Sequence, residues 1–394
     1  MILRRTAKRI RLFSHFISAA LLSCFLASCA GGPETTTTGA LEYSKKNEDE
    51  GAKSSAIEIG WFESRYGADR IKSLVAEGCS IAVPYVGSQG DTEAISTYLN
   101  AAAETGLGVA LQIPSDFVEK GNLDAIGSWV GRFRDHPAVE CWYLFDEPDV
   151  HKIPPERLAT AASLLRSEGG GKPIAVTFYH PEIAEKKYFG SFDIFWINYY
   201  PVLKGTPEFL GISWGGFSAR IQEASRVARA AKASFGVILQ AYGKAEDGKN
   251  QFNRRLPTAA ELNYMAWASL KENPSYLLFW SRYRTTERWL KEVFHPTMDP
   301  LLRLIAGGIE PSGQADITIQ GIKIEGFSFK AKGKEYLALL ASSRRSRETR
   351  VTIAGDYEIK PALMPGSVKI AKQNRNELIL DMSRFSVALL EILR

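Results

Sequence analysis

Residues 139–148 read VECWYLFDEP, an almost unbroken apolar run that stops abruptly on Asp146-Glu147-Pro148. Runs of this kind mark strands buried on both faces, as in a parallel sheet. Working outward, the same kind of run recurs. Upstream lie IEIGWF (57–62), SIAVPYVG (80–87) and LGVALQIP (107–114). Downstream lie PIAVTFYH (173–180), FDIFWINYYP (192–201), FGVILQAYG (235–243) and SYLLFWSRYR (275–284), which makes eight in all. Between them stand amphipathic segments such as DTEAISTYLNAAAETG (91–106) and TAAELNYMAWASLKENP (258–274). Several end in Gly, which suits a helix C-terminus, and some open on Asp, Pro or Thr, which suits an N-terminus. Eight strand–helix units over residues 56–308 predict an α/β fold, a (β/α)8 TIM barrel. An open doubly wound sheet is the alternative, but no Gly-rich phosphate loop follows the first run.

After Gly308 the hydrophobic period changes to two. ADITIQGIKIEGFSF, EYLALLAS, TRVTIAG, ELILDM and SVALLEIL alternate between turn residues, which predicts a small antiparallel β-sandwich over residues 309–394. The basic stretch SSRRSRETR (342–350) reads as a solvated hairpin between two of these strands.

The N-terminus has a different character. Arg4, Arg5, Lys8, Arg9 and Arg11 precede an apolar run, Leu12 to Ala27, that is short for a spanning helix. It closes on Leu26-Ala27-Ser28-Cys29, which resembles the lipobox of bacterial lipoproteins. That resemblance implies a signal peptide over residues 1–28, cleavage before Cys29 and acylation of its thiol. The expected address is the cell envelope, lipid-anchored and facing outside the cytoplasm. The outer membrane is favoured for a Gram-negative source, because Ala30 rather than Asp follows the cysteine. Residues 29–55 read as a flexible Gly/Thr/Lys/Glu tether. Without its signal the chain has 44 basic and 44 acidic residues, so the net charge of +5 belongs to the export segment and no nucleic-acid partner is implied. Cys79 and Cys141 are then the remaining cysteines, expected as free buried thiols. The oligomeric state is not legible.

A (β/α)8 barrel carries its chemistry at the C-terminal ends of its strands. Those ends supply Trp61 and Glu63, Tyr85, Gln112, Asp146, Glu147 and Asp149, Tyr179 and His180, Asn198, Tyr199 and Tyr200, Gln240 and Tyr242, then Trp280, Arg282, Tyr283 and Arg284. The set is aromatic, amide and carboxylate. It holds too few histidines for a metal centre and no Ser–His–Asp arrangement, so no metal and no cofactor is expected. Aromatic faces and amide or acid edges suit an oligo- or polysaccharide. Two adjacent acids at the end of a buried strand raise each other's pKa, as a general acid for a glycosidic oxygen requires.

The barrel, the Glu-Pro ending strand four, the Trp ending strand eight and the trailing sandwich together resemble the glycoside hydrolase barrels. In the largest clan of that superfamily strand four ends Asn-Glu-Pro and the Glu is the acid/base. The resemblance gives that role to Glu147 and gives Trp280 the place of the Trp beneath the sugar. Two positions depart from the pattern: Asp146 replaces the Asn, and Gln240 stands where strand seven carries a nucleophilic Glu. An adjacent Asp-Glu also resembles the hexosaminidase families, in which the substrate's N-acetyl group is the nucleophile. That resemblance makes Asp146 the orienting residue, with Tyr199 or Tyr200 on the acetamido oxygen. It requires a bulged strand end, since consecutive strand residues face opposite sides. An inverting enzyme with Glu63 or Asp149 as base is a third option. The overall expectation is a surface-tethered glycoside hydrolase. A glycan-binding lipoprotein without catalysis and an envelope scaffold are the alternatives.

Overall fold

The computed structural model describes residues 39–40, 56–64, 67–87, 91–203, 214–243, 254–312, 317–320, 324–342, 348–354, 357–363 and 368–393. The signal segment, Cys29, the basic stretch from 343 to 347 and most of the tether lie outside these residues. Eight strands form a closed barrel: β1 (Glu58–Glu63), β2 (Ile81–Pro84), β3 (Gly108–Gln112), β4 (Val139–Asp146), β5 (Ile174–Phe178), β6 (Ile194–Asn198), β7 (Ser234–Gln240) and β8 (Tyr276–Trp280). Each pairs in parallel with the next, and β8 returns to β1 with Phe279 opposite Trp61. The eight apolar runs are these eight strands.

Their interior is narrow at the base. Gly236 sits where a Cβ would lie 2.5 Å from the Trp196 ring and 2.7 Å from the Tyr276 Cβ, so only glycine fits. Phe62, Tyr143 and Trp196 fill the axis with Ile81, Val83, Ile238 and Leu278. A second, larger apolar layer lies between the strands and the helices.

The helices are α1 (Ala68–Ala76), α2 (Thr92–Thr105), α3 (Ser115–Lys120), α4 (Leu123–Phe133), α5 (Pro155–Glu168), α6 (Pro181–Lys187), α7 (Trp214–Ala230), α8 (Ala259–Leu270) and α9 (His295–Ile305). Their ends follow local chemistry. The Asp91 carboxylate accepts the N–H groups of Glu93 and Ala94, and Gly106 ends α2 in a left-handed conformation. Thr258 and Glu261 form a reciprocal capping box at α8. Among the described residues no helix is long and apolar enough to cross a membrane. Cys79 and Cys141 are free and buried, as expected.

The C-terminal region is antiparallel, as its period of two predicts. Its strands are β9 (Glu310–Pro311), β10 (Ile317–Gln320), β11 (Ile324–Ala331), β12 (Lys334–Ala341), β13 (Glu348–Ile353), β14 (Glu358–Leu363), β15 (Val368–Gln373), β16 (Glu377–Met382) and β17 (Val387–Leu393). One sheet runs β9-β11-β12-β17-β14. The other runs β10-β13-β16-β15, and the two-residue strand Gly39–Ala40 pairs antiparallel with the outer side of β10. Alternation along β12 divides its side chains. Leu337, Leu339 and Ala341 face the second sheet, whereas Tyr336, Ala338 and Leu340 join the apolar layer of the barrel. The first sheet is therefore buried on both faces, and it packs on α8 through Trp267 against Phe327 and Phe329.

Candidate functional site

The site begins with an irregularity in β4. Cys141 and Tyr143 face the barrel interior, and Trp142 and Leu144 face the helices. Strict alternation would send Phe145 inward next. Instead the pairing with β5 skips a residue: Tyr143 lies opposite Ala175, and Phe145 lies opposite Val176. Phe145 joins Leu144 in the outer layer, and the bulge turns Asp146 to the interior. There the Tyr85 hydroxyl donates to Asp146 Oδ2 at 2.9 Å.

Glu147 follows with φ of 53°, a left-handed backbone uncommon outside glycine. Its N–H donates to the Thr177 carbonyl at 2.9 Å, which holds the turn to β5. Its Oε1 accepts a short hydrogen bond from Asn198 Nδ2 at the end of β6. A bulge followed by a left-handed residue is thus how two consecutive acids both reach the mouth. Strain of about 1–3 kcal/mol is typical of such a backbone and gathers at functional sites.

The two carboxyls are electrostatically distinct. Burial, and after it the neighbouring charge of Asp146, pushes Glu147 up to about 7, against the hydrogen bond from Asn198. Asp146 is raised chiefly by burial, while hydrogen bonds from Tyr143 and Tyr85 stabilise its ionised form. Glu147 can therefore hold or release a proton near neutrality. Asp149 does different work. Its buried carboxylate accepts the main-chain N–H of His180 at 2.7 Å and of Tyr179 at 3.3 Å, and meets the His180 ring Nδ1 at 3.0 Å. It secures the end of β5.

Around the acids stands an aromatic wall. The Trp280 indole N–H donates to the Tyr85 hydroxyl at 2.9 Å, which completes a chain from Trp280 through Tyr85 to Asp146. Tyr200 lies nearly parallel to Trp280 at 5.6 Å, and Tyr242 meets it edge-on at 4.4 Å. Tyr179 and Tyr199 form a second pair at 6.1 Å.

Other residues expected on the rim are placed elsewhere. Trp61 packs between Phe279 and Phe294 in the outer layer, and Glu63 is fully buried and paired with Arg70 of α1. Both look toward the helices, which leaves Glu63 behind the barrel wall as seen from Glu147. Arg282 is buried against Glu77 and Glu287 and does not reach the acids of the mouth. Gln112 accepts the Val86 N–H at 2.9 Å, and so braces the connection after β2. Gln240 does the same after β6: it accepts the Val202 N–H at 2.9 Å and donates to the carbonyls of Val202, Arg255 and Tyr242. Its carboxamide is engaged by main chain rather than by the mouth.

Tyr143 and Thr177 are bonded to each other at 3.0 Å beneath the acids, and both lie inside apolar runs that give them no mark as site residues beyond the polar character of Thr177. Among the described residues no set of three or more His, Cys, Asp or Glu is gathered as a metal site would need.

No protein-family model and no curated protein sequence matches the chain. Solved structures do match by shape. A glycoside hydrolase family 5 protein from Bacteroides vulgatus ATCC 8482 aligns at TM-score 0.57 and 11% identity, over 86% of this chain and 88% of that one. A structure described as a glycoside hydrolase aligns at TM-score 0.53 and 12% identity, over 86% and 92%. The chain spans 54% of a β-galactosidase from the psychrophilic Marinomonas ef1, at TM-score 0.47 and 10% identity over 57% of this chain. The fold is that of the glycoside hydrolase TIM barrels.

Proposed function

We propose that this protein is a surface-tethered glycoside hydrolase in which Glu147 is the general acid/base and Asp146 orients a substrate N-acetyl group. The observation that carries this reading is the bulge that turns Asp146 inward beside a Glu147 held near neutrality. Protonated Glu147 gives its proton to the glycosidic oxygen as the bond from C1 breaks. The acetamido oxygen attacks C1, while Asp146 accepts the hydrogen bond of the acetamido N–H. Glu147, now a carboxylate, takes a proton from the water that opens the cyclic intermediate, and is restored. No enzyme nucleophile is needed, which accords with a Gln at position 240. Asp149 is a poor candidate for the base of an inverting reaction, because main-chain donors and His180 already surround its carboxylate.

Turnover of aryl glycosides, N-acetylhexosaminides among them, tests the reading. Glu147→Gln is expected to lower kcat by roughly 10²–10⁴. Equal and negligible turnover by wild type and variant would instead favour a non-catalytic glycan-binding barrel. The backbone-bound Gln240 gives that second reading its support.

The tethering belongs to the same proposal and rests on the lipobox-like sequence at Cys29. Cys29→Ser is expected to move the protein from the membrane fraction to the soluble one.

A further inference from the structure

The two carboxyl oxygens of Glu147 have different surroundings. Oε1 accepts the hydrogen bond from Asn198 Nδ2. Oε2 meets no donor among the described residues and, in a half-buried side chain at the mouth, keeps exposed surface. The titratable groups that face Glu147 are Asp146 at the end of β4, Asp149 beyond it, Tyr143 within β4, Tyr200 after β6 and Tyr242 after β7. Among the described residues Asn198 alone donates a hydrogen bond to the Glu147 carboxyl.

The amide of Asn198 is held one way round. Asn198 ends β6 and is 4% exposed, so its carboxamide depends on partners within the protein. Nδ2 carries two hydrogens, and one goes to Glu147. The other side of the same group meets Tyr200: burial raises the pKa of that phenol, and the Asn198 amide opposes the rise as a donor does. Oδ1 is buried and has no partner among the described residues. Turning the amide over would let Oδ1 accept a proton carried on Oε1, one hydrogen bond gained for two lost. In the orientation observed, a proton on Oε1 would point at an N–H. The neutral carboxyl therefore carries its proton on the other oxygen.

We propose that Asn198 is the positioning residue of the acid: by occupying Oε1 it places the proton of Glu147 on Oε2, the oxygen left open to the mouth, from which a glycosidic oxygen takes it. Asn198 then serves the acid rather than the sugar. Its effect on turnover rests on the glycosidase reading, whereas the place of the proton does not.

Two measurements on the full chain test the proposal. In protein labelled with carbon-13 at the glutamate side-chain carboxyl, the Glu147 resonance is the one that Glu147→Gln removes. Its titration midpoint is expected to rise by about one to two pH units in Asn198→Ala, which loses a donor to the ionised form. Asn198→Asp keeps the shape of the side chain, so it remains readable if the alanine variant fails to fold. It sets a second acid against Oε1, and the midpoint should rise further. The other measurement is turnover of aryl N-acetylhexosaminides that differ in their leaving phenol. Both variants are expected to lose at least about tenfold more kcat/KM with an unactivated phenol than with 2,4-dinitrophenol, which departs without a proton. A merely structural Asn198 would lower turnover of both substrates alike and leave the midpoint in place. An unmoved midpoint, or a loss indifferent to the leaving phenol, overturns the proposal. A wild type that turns over none of these glycosides overturns the glycosidase reading instead, and the titration alone then decides whether Asn198 holds Oε1.

Discussion

Glu147 is held with a raised pKa, and the cost of that appears in stability as well as in chemistry. Its folded pKa, about 7, lies above its ordinary 4.5. Stability from this group is therefore complete below about pH 4.5 and is lost as pH rises through 7. Glu147→Gln removes the loss. The variant is expected to gain up to about 2–3 kcal/mol relative to wild type between pH 4.5 and 8, a difference that denaturant melts at both pH values would read directly. A constant difference across that range would contradict the raised pKa. In catalysis the sign is the same: a general acid must be protonated, so kcat/KM should fall above about pH 7. Gln240→Glu introduces at the end of β7 the residue type that the resemblance to the glycoside hydrolase barrels calls for there. It also aims a carboxylate at the Val202 and Arg255 carbonyls, each now 3.0 Å from Nε2. We expect a loss of about 2–4 kcal/mol and no gain in turnover. Covalent labelling of the variant at residue 240 by a 2-deoxy-2-fluoroglycoside would show that the side chain does reach the sugar.

At the scale of elements, strands buried on both faces are easy to find and hard to orient. The eight runs announce themselves because every position is apolar. For the same reason hydropathy does not say which neighbour looks inward. Trp61 and Glu63 occupy a strand end as expected, yet alternation points them at the helices, and it is Phe62 that fills the axis. The bulge in β4 is hidden in the same way. Leu144 and Phe145 both face outward, and nothing in the letters WYLF distinguishes that from strict alternation. The pair Asp146-Glu147 was legible as chemistry, whereas the means of bringing both acids to the mouth was not. The closeness of the barrel base is likewise a matter of contacts. Gly236→Ala would place a methyl against Trp196 and Tyr276, and a cost of about 1–3 kcal/mol in a thermal melt is expected. The site lies at the start of β7, away from Glu147, so turnover per folded molecule should not change.

Over the whole molecule the barrel and the β-sandwich behave as one packed body rather than two beads. α8 is the joint. Ten of its twelve residues are buried, Glu261 through Leu270, where a barrel helix ordinarily shows a polar face to water. Its outer side is covered by the first sheet and by the turn that leads into β17: Trp267 meets Phe329 at 5.7 Å, Lys271 pairs with Glu325 at 2.6 Å, and Tyr264 meets Phe385 of that turn at 5.8 Å. The sheet in turn contributes Ala338, Leu340 and Leu389 to the barrel's own apolar layer. A change of hydrophobic period near Gly308 marks where the secondary structure switches; beyond it the sandwich has its own core between its two sheets, while the outer face of its first sheet joins the barrel's layer. Two consequences follow from the shared layer. The intact protein should unfold in a single calorimetric transition, with the van't Hoff and calorimetric enthalpies equal. A chain ended at Gly308 would expose Tyr264 and Trp267 together, and is expected to be insoluble or to bind a hydrophobic dye. Trp267→Ala, which leaves the sandwich attached, should cost about 3–5 kcal/mol and still melt in one step. Two separated transitions in the intact protein, or a soluble and cooperatively folded barrel ending at Gly308, would show that the sandwich is an accessory. The packing around α8 makes it part of the fold that holds Glu147 in place.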